Sequence, residues 1–201
     1  MIYLASRSPR RRELLQQIGV RFEPLLFREG SRADADTDES VKPAEDPDAY
    51  VRRVTEMKAN AAWSRVTMRR GLQRKPVLVA DTTVALDSEI LGKPADRAEA
   101  ERMLSLLSGK RHRVLTAVAV VLESRLEMLV SESHVTFAAI APERIAAYVA
   151  SGEPFDKAGA YGIQGRAATF IERIEGSYSG IMGLPLYETV ALLAKFGIAV
   201  P

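Results

Sequence analysis

The apolar run from Val77 to Ala80 restricts the fold more than any other feature of the chain. It is continuous rather than alternating, which is typical of a strand buried on both faces at the centre of a sheet. We predict that this strand ends at Asp81 and that Asp81 belongs to a functional site, because buried carboxylates are rare unless they are paired or bind a cation. The carboxyl ends of strands in α/β sheets are also where ligands bind. An aspartate that starts a turn is the alternative, but the apolar pattern resumes at once over 84–86.

Strand and helix patterns alternate along the 201 residues. The interleaving predicts an α/β fold with a mixed central sheet flanked by helices, in one domain or in a domain with a small lobe. Short apolar or alternating runs predict strands over 1–6, 20–26, 77–80 with its continuation at 84–86, 114–122, 126–137 and 168–174. Capping residues, Asp46 among them, and helical spacing predict helices over 9–18, from 47 past 61, from 96 to 109, over 142–150 and over 185–196.

Three arginines, Arg10 to Arg12, fall in the first turn of the helix that Ser8 is expected to cap and that begins at Pro9. That end of a helix is positive, so each arginine there is unfavourable by a few tenths to about 1 kcal/mol unless an anion binds. A phosphate chain is the simplest such anion, since backbone N–H groups, hydroxyls and guanidinium groups all donate to it. Exposed arginines on a solvated helix are the alternative.

Composition excludes several classes of function. The 28 Lys and Arg nearly balance 26 Asp and Glu, so the chain has no general attraction to nucleic acid, which we do not expect as a partner. The absence of cysteine rules out thiolate metal sites and fits a reducing compartment such as the cytoplasm, and two histidines cannot form a multi-histidine site. No apolar run approaches membrane length, so no membrane association is expected. Neither a P-loop nor a Gly-x-Ser-x-Gly elbow occurs.

Three further segments hold candidate ligand-binding residues. The glycine-rich segment 156–165 allows close backbone approach, and the Gln164 amide can donate to and accept from the edge of a base. A tight structural turn explains its glycines equally well. The acidic segment 28–46 can offer Asp38 or Glu39 to a metal shared with phosphates, although a solvated surface explains any single one of these residues better. The strand at 84–86 is followed by a turn over 87–89, which predicts a hairpin, and Lys93 after this hairpin can reach the site of Asp81. Alone, however, Lys93 would be an ordinary surface lysine.

Together these segments resemble the Maf family of nucleoside triphosphate pyrophosphatases over nearly the whole chain. The resemblance rests on Leu4-Ala5-Ser6-x-Ser-Pro-Arg-Arg-x-Glu-Leu-Leu15, Asp38-Glu39, Lys58-Ala59, Ala80-Asp81-Thr82, Gly92-Lys93-Pro94, Leu107-Ser108-Gly109, the segment 156–165 and Gly183-Leu184-Pro185. Ala138 departs from the family, which often has arginine there, and this affects no site residue. The resemblance implies one domain over 1–201, with the fold of inosine triphosphate pyrophosphatase and a substrate cleft between two lobes. It also implies a divalent metal (Mg²⁺ or Mn²⁺), a homodimer and a cytoplasmic location.

The resemblance also implies a substrate. The family hydrolyses nucleoside triphosphates between the α and β phosphates, and it divides by base. The branch acting on dTTP and UTP is similar to this chain at Ser8 to Arg11, at Asp81-Thr82 and at Ile163 to Gly165. The branch that prefers 7-methyl-GTP has Trp for the first arginine, Gln after the aspartate and Glu for the glutamine. We therefore expect hydrolysis of dTTP and UTP, with CTP and modified pyrimidine nucleotides as further candidates.

Residues and resemblance support one mechanism, in which water attacks the α phosphorus. Asp81 is the expected base, and Glu39 with Asp81 is the expected metal ligand set. The residues expected to hold phosphates are Ser6, Arg10, Arg11, Lys58 and Lys93. The residues expected to select the base are Arg10, Thr82 and Gln164. The competing class is a regulator of cell division that binds a nucleotide or nucleic acid without essential catalysis, which has no use for a carboxylate placed to activate water.

Overall fold

A seven-stranded mixed sheet forms the centre of the protein in the computed structural model, which describes residues 1–25 and 38–200. The strands are β1 (Ile2–Leu4), β2 (Phe22–Pro24), β3 (Val77–Leu86), β4 (Glu89–Leu91), β5 (Arg111–Leu122), β6 (Arg125–Phe137) and β7 (Ile171–Glu175). They lie in the order β2-β1-β3-β5-β6-β7, and β4 pairs with β3 as a hairpin. Strand β1 is parallel to β2 and β3, whereas the other pairs are antiparallel. The predicted mixed α/β fold is confirmed.

Helices pack on both faces of this sheet. They are α1 (Pro9–Gln17), α2 (Pro47–Met68), α3 (Arg97–Leu107), α4 (Pro142–Ala150), α5 (Tyr178–Met182) and α6 (Leu186–Lys195). Leu78 and Ala80 of β3 pack with apolar residues of α1 and α6, while Val77 and Val79 pack with α2 on the opposite face. This burial on both sides accounts for the continuous apolar run in β3. Within the described residues, no helix is both long enough and apolar enough to cross a membrane.

Most predicted boundaries are close to those observed. Asp46 accepts hydrogen bonds from the first backbone N–H groups of α2, as its predicted capping role requires. Ser8 stands at the N-cap position of α1, but its hydroxyl makes no cap hydrogen bond. The last predicted strand begins later than expected because 166–170 forms a 3-10 turn, and the short helix α5 was not predicted. The predicted end of the second strand at residue 26, and most of the acidic segment, lie outside the described residues.

The prediction that the central strand ends at Asp81 is wrong. Strand β3 continues through it to Leu86, because β5 pairs with β3 from Val77 to Ala85. The other edge of β3 is different. Along that edge, β1 pairs only with the first two residues of β3, Val77 and Leu78, and β4 pairs only with residues 84–86. Among the described residues, no strand lies beside this edge over 79–83, and we call this stretch the edge gap.

His112 of β5 provides a test of how acid affects the fold. It is 2% exposed, its Nε2 lies 2.8 Å from the Tyr161 hydroxyl, and its ring contacts Phe137 edge-on. Burial lowers the pKa of His112 to about 4. The unfolded chain, whose histidine has a pKa near its ordinary value, therefore binds a proton more readily between about pH 6.5 and 4. The stabilisation is complete above this window and is lost as the pH falls through it.

We expect this histidine to remove roughly 3 kcal/mol from the free energy of unfolding as the pH falls from about 6.5 to 4. The measurement is urea unfolding at successive pH values for the wild type and for His112→Gln. The glutamine can still hydrogen-bond Tyr161 but does not titrate, so the difference between the two curves isolates the histidine. Parallel curves through this window would contradict the assignment.

Candidate functional site

A cleft of about 720 Å³ opens at the edge gap of β3. Its lining comes from the β1–α1 connection, helix α2, strand β3, the residues after β4 and the glycine-rich segment 156–165. All nine site residues that the sequence analysis predicts lie in this lining: Ser6, Arg10, Arg11, Glu39, Lys58, Asp81, Thr82, Lys93 and Gln164. Residues far apart in the chain thus share one concave site.

The alternation of side chains along β3 divides the cleft into two parts. Asp81 points to the face covered by α2, where Lys58 contacts it. Thr82, the next residue, points to the opposite face, where Arg11 of α1 contacts it. Successive side chains of a strand always point to opposite faces, so only a cleft that wraps around an open sheet edge can use both. The edge gap provides that opening.

On the first face, one lysine bridges two carboxylates. The Lys58 ammonium lies 2.6 Å from Asp81 Oδ1 and 2.8 Å from Glu39 Oε1. The Asp81 side chain is 13% exposed and that of Glu39 is 47% exposed, so the former is the more sheltered carboxylate. Tyr50 donates a hydrogen bond to the Glu39 carbonyl, and burial, helped by the two carboxylates, raises the pKa of Tyr50 to about 12. The tyrosine therefore stays protonated and acts as a donor.

This pair of carboxylates fits a hard divalent cation. Mg²⁺ is usually held by one or two carboxylates together with waters and substrate phosphates, rather than by a cage of protein groups. Glu39 and Asp81 already converge on one cation, the Lys58 ammonium. In the part of the chain that the structure describes, no set of three or more His, Cys, Asp or Glu side chains gathers to bind a metal. Bound phosphate or water oxygens would have to complete the coordination.

On the second face, Arg11 contacts only neutral acceptors. Its Nε donates to Gly183 O at 2.7 Å, and its terminal nitrogens donate to Ser6 Oγ at 3.3 Å and Thr82 Oγ1 at 3.2 Å. Burial lowers the pKa of Arg11, and the nearby Asp81 charge opposes that change. No carboxylate among the described residues forms an ion pair with this guanidinium, and two of its N–H donors remain without a described partner. A sheltered cation in this state favours binding of an anion.

Arg10 links helix α1 to the glycine-rich segment. Its guanidinium lies 2.9 Å from Asp156 Oδ2, and Lys157 Nζ lies 2.5 Å from Asp156 Oδ1. Burial favours the neutral form of Asp156, but hydrogen bonds from Lys157 and Arg10 outweigh it and lower the pKa of Asp156. Neither Asp156 nor Lys157 was predicted as a site residue, although both lie in the glycine-rich segment 156–165.

The other predicted residues present polar atoms to the cleft. The side chains of Lys93 and Gln164 are exposed, and they make no hydrogen bond within residues 1–25 and 38–200. Ser6 is buried and accepts hydrogen bonds from the Ser8 N–H and from Arg11. Lys93 and Gln164 are therefore free to contact a ligand, whereas Ser6 supports the arginine beside it.

Comparison with known proteins identifies the family. The profile of the family described as "Maf-like protein" matches residues 1–196. A protein of Cupriavidus metallidurans named "dTTP/UTP pyrophosphatase" is 58% identical over 98% of both chains. Proteins of the same name from Ralstonia nicotianae (60% identical, covering 98% of this chain and 94% of that one) and Nitrosomonas europaea (55%, covering 99% and 96%) are also similar.

One solved structure, that of the Staphylococcus aureus Ham1 protein, resembles the fold with a TM-score of 0.41 and 16% identity, over 70% of this chain and 72% of the other. A likeness at that level carries no weight here. The family match covers nearly the whole chain, and relatives above 50% identity extend over almost its full length. This chain therefore belongs to the Maf family.

Proposed function

We propose that the protein is a nucleoside triphosphate pyrophosphatase that hydrolyses dTTP and UTP to the monophosphate and pyrophosphate. The observation that carries this proposal is the pairing, in one cleft, of a guanidinium without an anionic partner and a carboxylate pair that shares a cation. The first favours a phosphate chain, and the second favours activation of water beside it. The names of the relatives support the choice of dTTP and UTP.

In the proposed reaction, Asp81 accepts the proton of the attacking water. Its Oδ1 is held by Lys58, while Oδ2 has no hydrogen-bond partner among the described residues and so is free to accept. Lys58 fixes the carboxylate in one orientation, which is the positioning that phosphoryl transfer depends on. When bound, a divalent cation at Glu39 and Asp81, Mg²⁺ or Mn²⁺, would neutralise phosphate charge and lower the pKa of a bound water.

We propose that the cations around the cleft hold the triphosphate. Arg11 binds through its two remaining donors, and Ser6 keeps the guanidinium in place. Arg10, Lys58 and Lys93 add positive charge where negative charge develops on the departing pyrophosphate. We further propose that residues 1–201 act as one catalytic domain in the cytoplasm, as a homodimer, with CTP and modified pyrimidine nucleotides as further substrates.

The test is a panel of triphosphates incubated with the protein and Mg²⁺ or Mn²⁺, with released pyrophosphate and monophosphate measured separately. We expect equimolar pyrophosphate and monophosphate, fastest from dTTP and UTP. Binding of nucleotides without release of pyrophosphate would favour the alternative, a regulator without essential catalysis. Release of inorganic phosphate instead would place the cleavage at a different bond.

Base selection gives a separate prediction at Gln164. We propose that its exposed amide pairs with the oxygen and N–H edge of uracil or thymine, whereas a carboxylate can only accept. Gln164→Glu should therefore lower kcat/KM for UTP and dTTP by roughly ten- to a hundredfold, and least for a guanine nucleotide such as 7-methyl-GTP. Gln16→Glu, at an exposed position outside the cleft, is the matched control. An equal loss with all three nucleotides would show that Gln164 does not contact the base.

A further inference from the structure

We propose that Thr116 is a positioning residue for Arg11 and acts on it through Thr82. The inference rests on the proposed function, since it assigns Arg11 to the triphosphate. Thr116 lies on β5 directly opposite Thr82 in the pairing of β3 and β5, and it is 1% exposed. It does not line the cleft, and no sequence motif points to it.

Four groups form an ordered chain of hydrogen bonds. The Thr116 hydroxyl donates to Gly180 O at 2.7 Å, and its oxygen lies 2.9 Å from the Thr82 hydroxyl oxygen. The Arg11 guanidinium donates to the same Thr82 oxygen at 3.2 Å. The chain therefore starts at the cation beside the cleft and ends at a backbone carbonyl of α5.

The direction of every bond in this chain is determined. A carbonyl can only accept, so the single hydroxyl hydrogen of Thr116 is used on Gly180 O. Thr116 must then accept from Thr82, whose own hydrogen is thereby used. Thr82 can only accept from Arg11, which has donors alone. Each bond polarises the next, so the Thr82 oxygen is a fixed and strengthened acceptor.

This fixed acceptor sets the orientation of the guanidinium. Arg11 is held on one side by Gly183 O, in the residue after α5, and on another by Thr82. Gly183 has φ of +115°, and a Cβ there would lie 3.5 Å from both Arg11 Nε and Thr82 Oγ1. The carbonyl therefore approaches the arginine at a glycine, where backbone of this kind is unstrained. Without Thr116, the Thr82 hydroxyl can rotate its hydrogen towards Arg11 and oppose a donor with a donor.

This chain of hydrogen bonds also limits the contacts that Thr82 can make with the base of a nucleotide. Its hydrogen is engaged by Thr116, so it has none to donate to a carbonyl oxygen of uracil or thymine. The part of this role that depends on Thr116 passes through Arg11 and the phosphates, which all the nucleotides share. A loss at Thr116 should accordingly be the same for every base, unlike the loss at Gln164.

The experiment compares Thr116→Val, which has nearly the same shape but no hydroxyl, with Thr116→Ser, which restores it. Thr189→Val is the matched control, since Thr189 is also buried and its hydroxyl also donates to one backbone carbonyl, that of Pro185, outside the cleft. KM and kcat are measured with UTP and dTTP, and the dissociation constant of inorganic tripolyphosphate is measured by calorimetry. Tripolyphosphate has no base, so it reports the phosphate site alone.

We expect Thr116→Val to raise KM for both nucleotides and the dissociation constant of tripolyphosphate by the same factor, about tenfold, with kcat changed less than about threefold. Thr116→Ser should restore both values, and Thr189→Val should leave both unchanged even where it lowers the melting temperature. If Thr116→Val does not fold, Thr116→Cys, which hydrogen-bonds only weakly, takes its place.

Unchanged tripolyphosphate binding in a folded variant, or a KM change confined to one base, would overturn the proposal. So would a wild type that does not bind tripolyphosphate. Failure of the proposed function gives a different result. If the wild type binds tripolyphosphate but releases no pyrophosphate, the dissociation constants of the Thr116 variants for tripolyphosphate still test the role of Thr116.

Discussion

We expect Asp81→Asn to lower kcat by about 10² to 10⁴-fold while UTP still binds. The amide keeps the shape of the carboxylate and can still accept a hydrogen bond from Lys58 through its oxygen, but it cannot take a proton from water. The measurement is kcat from pyrophosphate release, together with the dissociation constant of a non-hydrolysable UTP analogue. Asp48→Asn is a matched control, since Asp48 is partly exposed on α2 and, among the described residues, forms its ion pair with Arg52 outside the cleft.

The same variant separates the two roles proposed for Asp81. To the extent that the rate falls because a metal ligand is lost, raising the Mg²⁺ or Mn²⁺ concentration restores it, since the variant only binds the metal more weakly. A lost base is not restored in this way. A variant that keeps most of the wild-type kcat would exclude Asp81 as the base, and full rescue by metal would assign it to the metal alone.

Arg11→Ala has the second large effect that we expect, a rise in KM for UTP of roughly ten- to a hundredfold. The substitution removes a charge-assisted contact worth about 1.5 to 3 kcal/mol. Arg10→Ala should have a smaller effect, because Asp156 already neutralises part of the charge of Arg10. Arg12→Ala is the matched control, since Arg12 shares the first turn of α1 but does not line the cleft.

Equal losses in all three arginine variants would indicate that only the general charge of the helix end matters. Unchanged kinetics in Arg11→Ala, with a large loss of thermal stability, would show that Arg11 is structural. Removal of Arg11 relieves charge repulsion at the positive end of α1, which favours a gain in stability. The hydrogen bonds that Arg11 donates to Ser6, Thr82 and Gly183 oppose such a gain. The melting temperature of the ligand-free variant, followed by circular dichroism, is therefore the required check.

Much of the fold could be predicted because it depends on local patterns. Asp46 caps α2 as its sequence context predicts, and α4 has the predicted bounds, Pro142–Ala150. The error at Asp81 arose because a polar residue after an apolar run indicates the end of a strand, whereas pairing with β5 continues the strand. The partners of Asp81 and of the strand residues after it lie 28 to 36 positions later in the chain, which no local pattern encodes.

The candidate site, too, could be predicted where residue types identify it and not where contacts between distant residues form it. Residue types and the family resemblance were sufficient to name nine side chains, and the structure places all of them around one cleft. They could not indicate Thr116, because its contact with Thr82 depends on the register of two antiparallel strands separated by a helix. They could not indicate that Asp156 holds Arg10, because that ion pair joins residues 146 positions apart.

The edge gap of β3 also has a consequence for self-association. Free strand edges invite pairing with strands of other molecules, and proteins must protect them. Here the open stretch is closed at one end by β1 and at the other by β4, both of which belong to the same sheet. A strand of another molecule could pair only with residues 79–83, because β1 and β4 occupy the edge on either side, whereas a small molecule fits between them. The unpaired stretch of β3 is thus open to a small molecule in the cleft but too short to pair with an extended strand of another molecule.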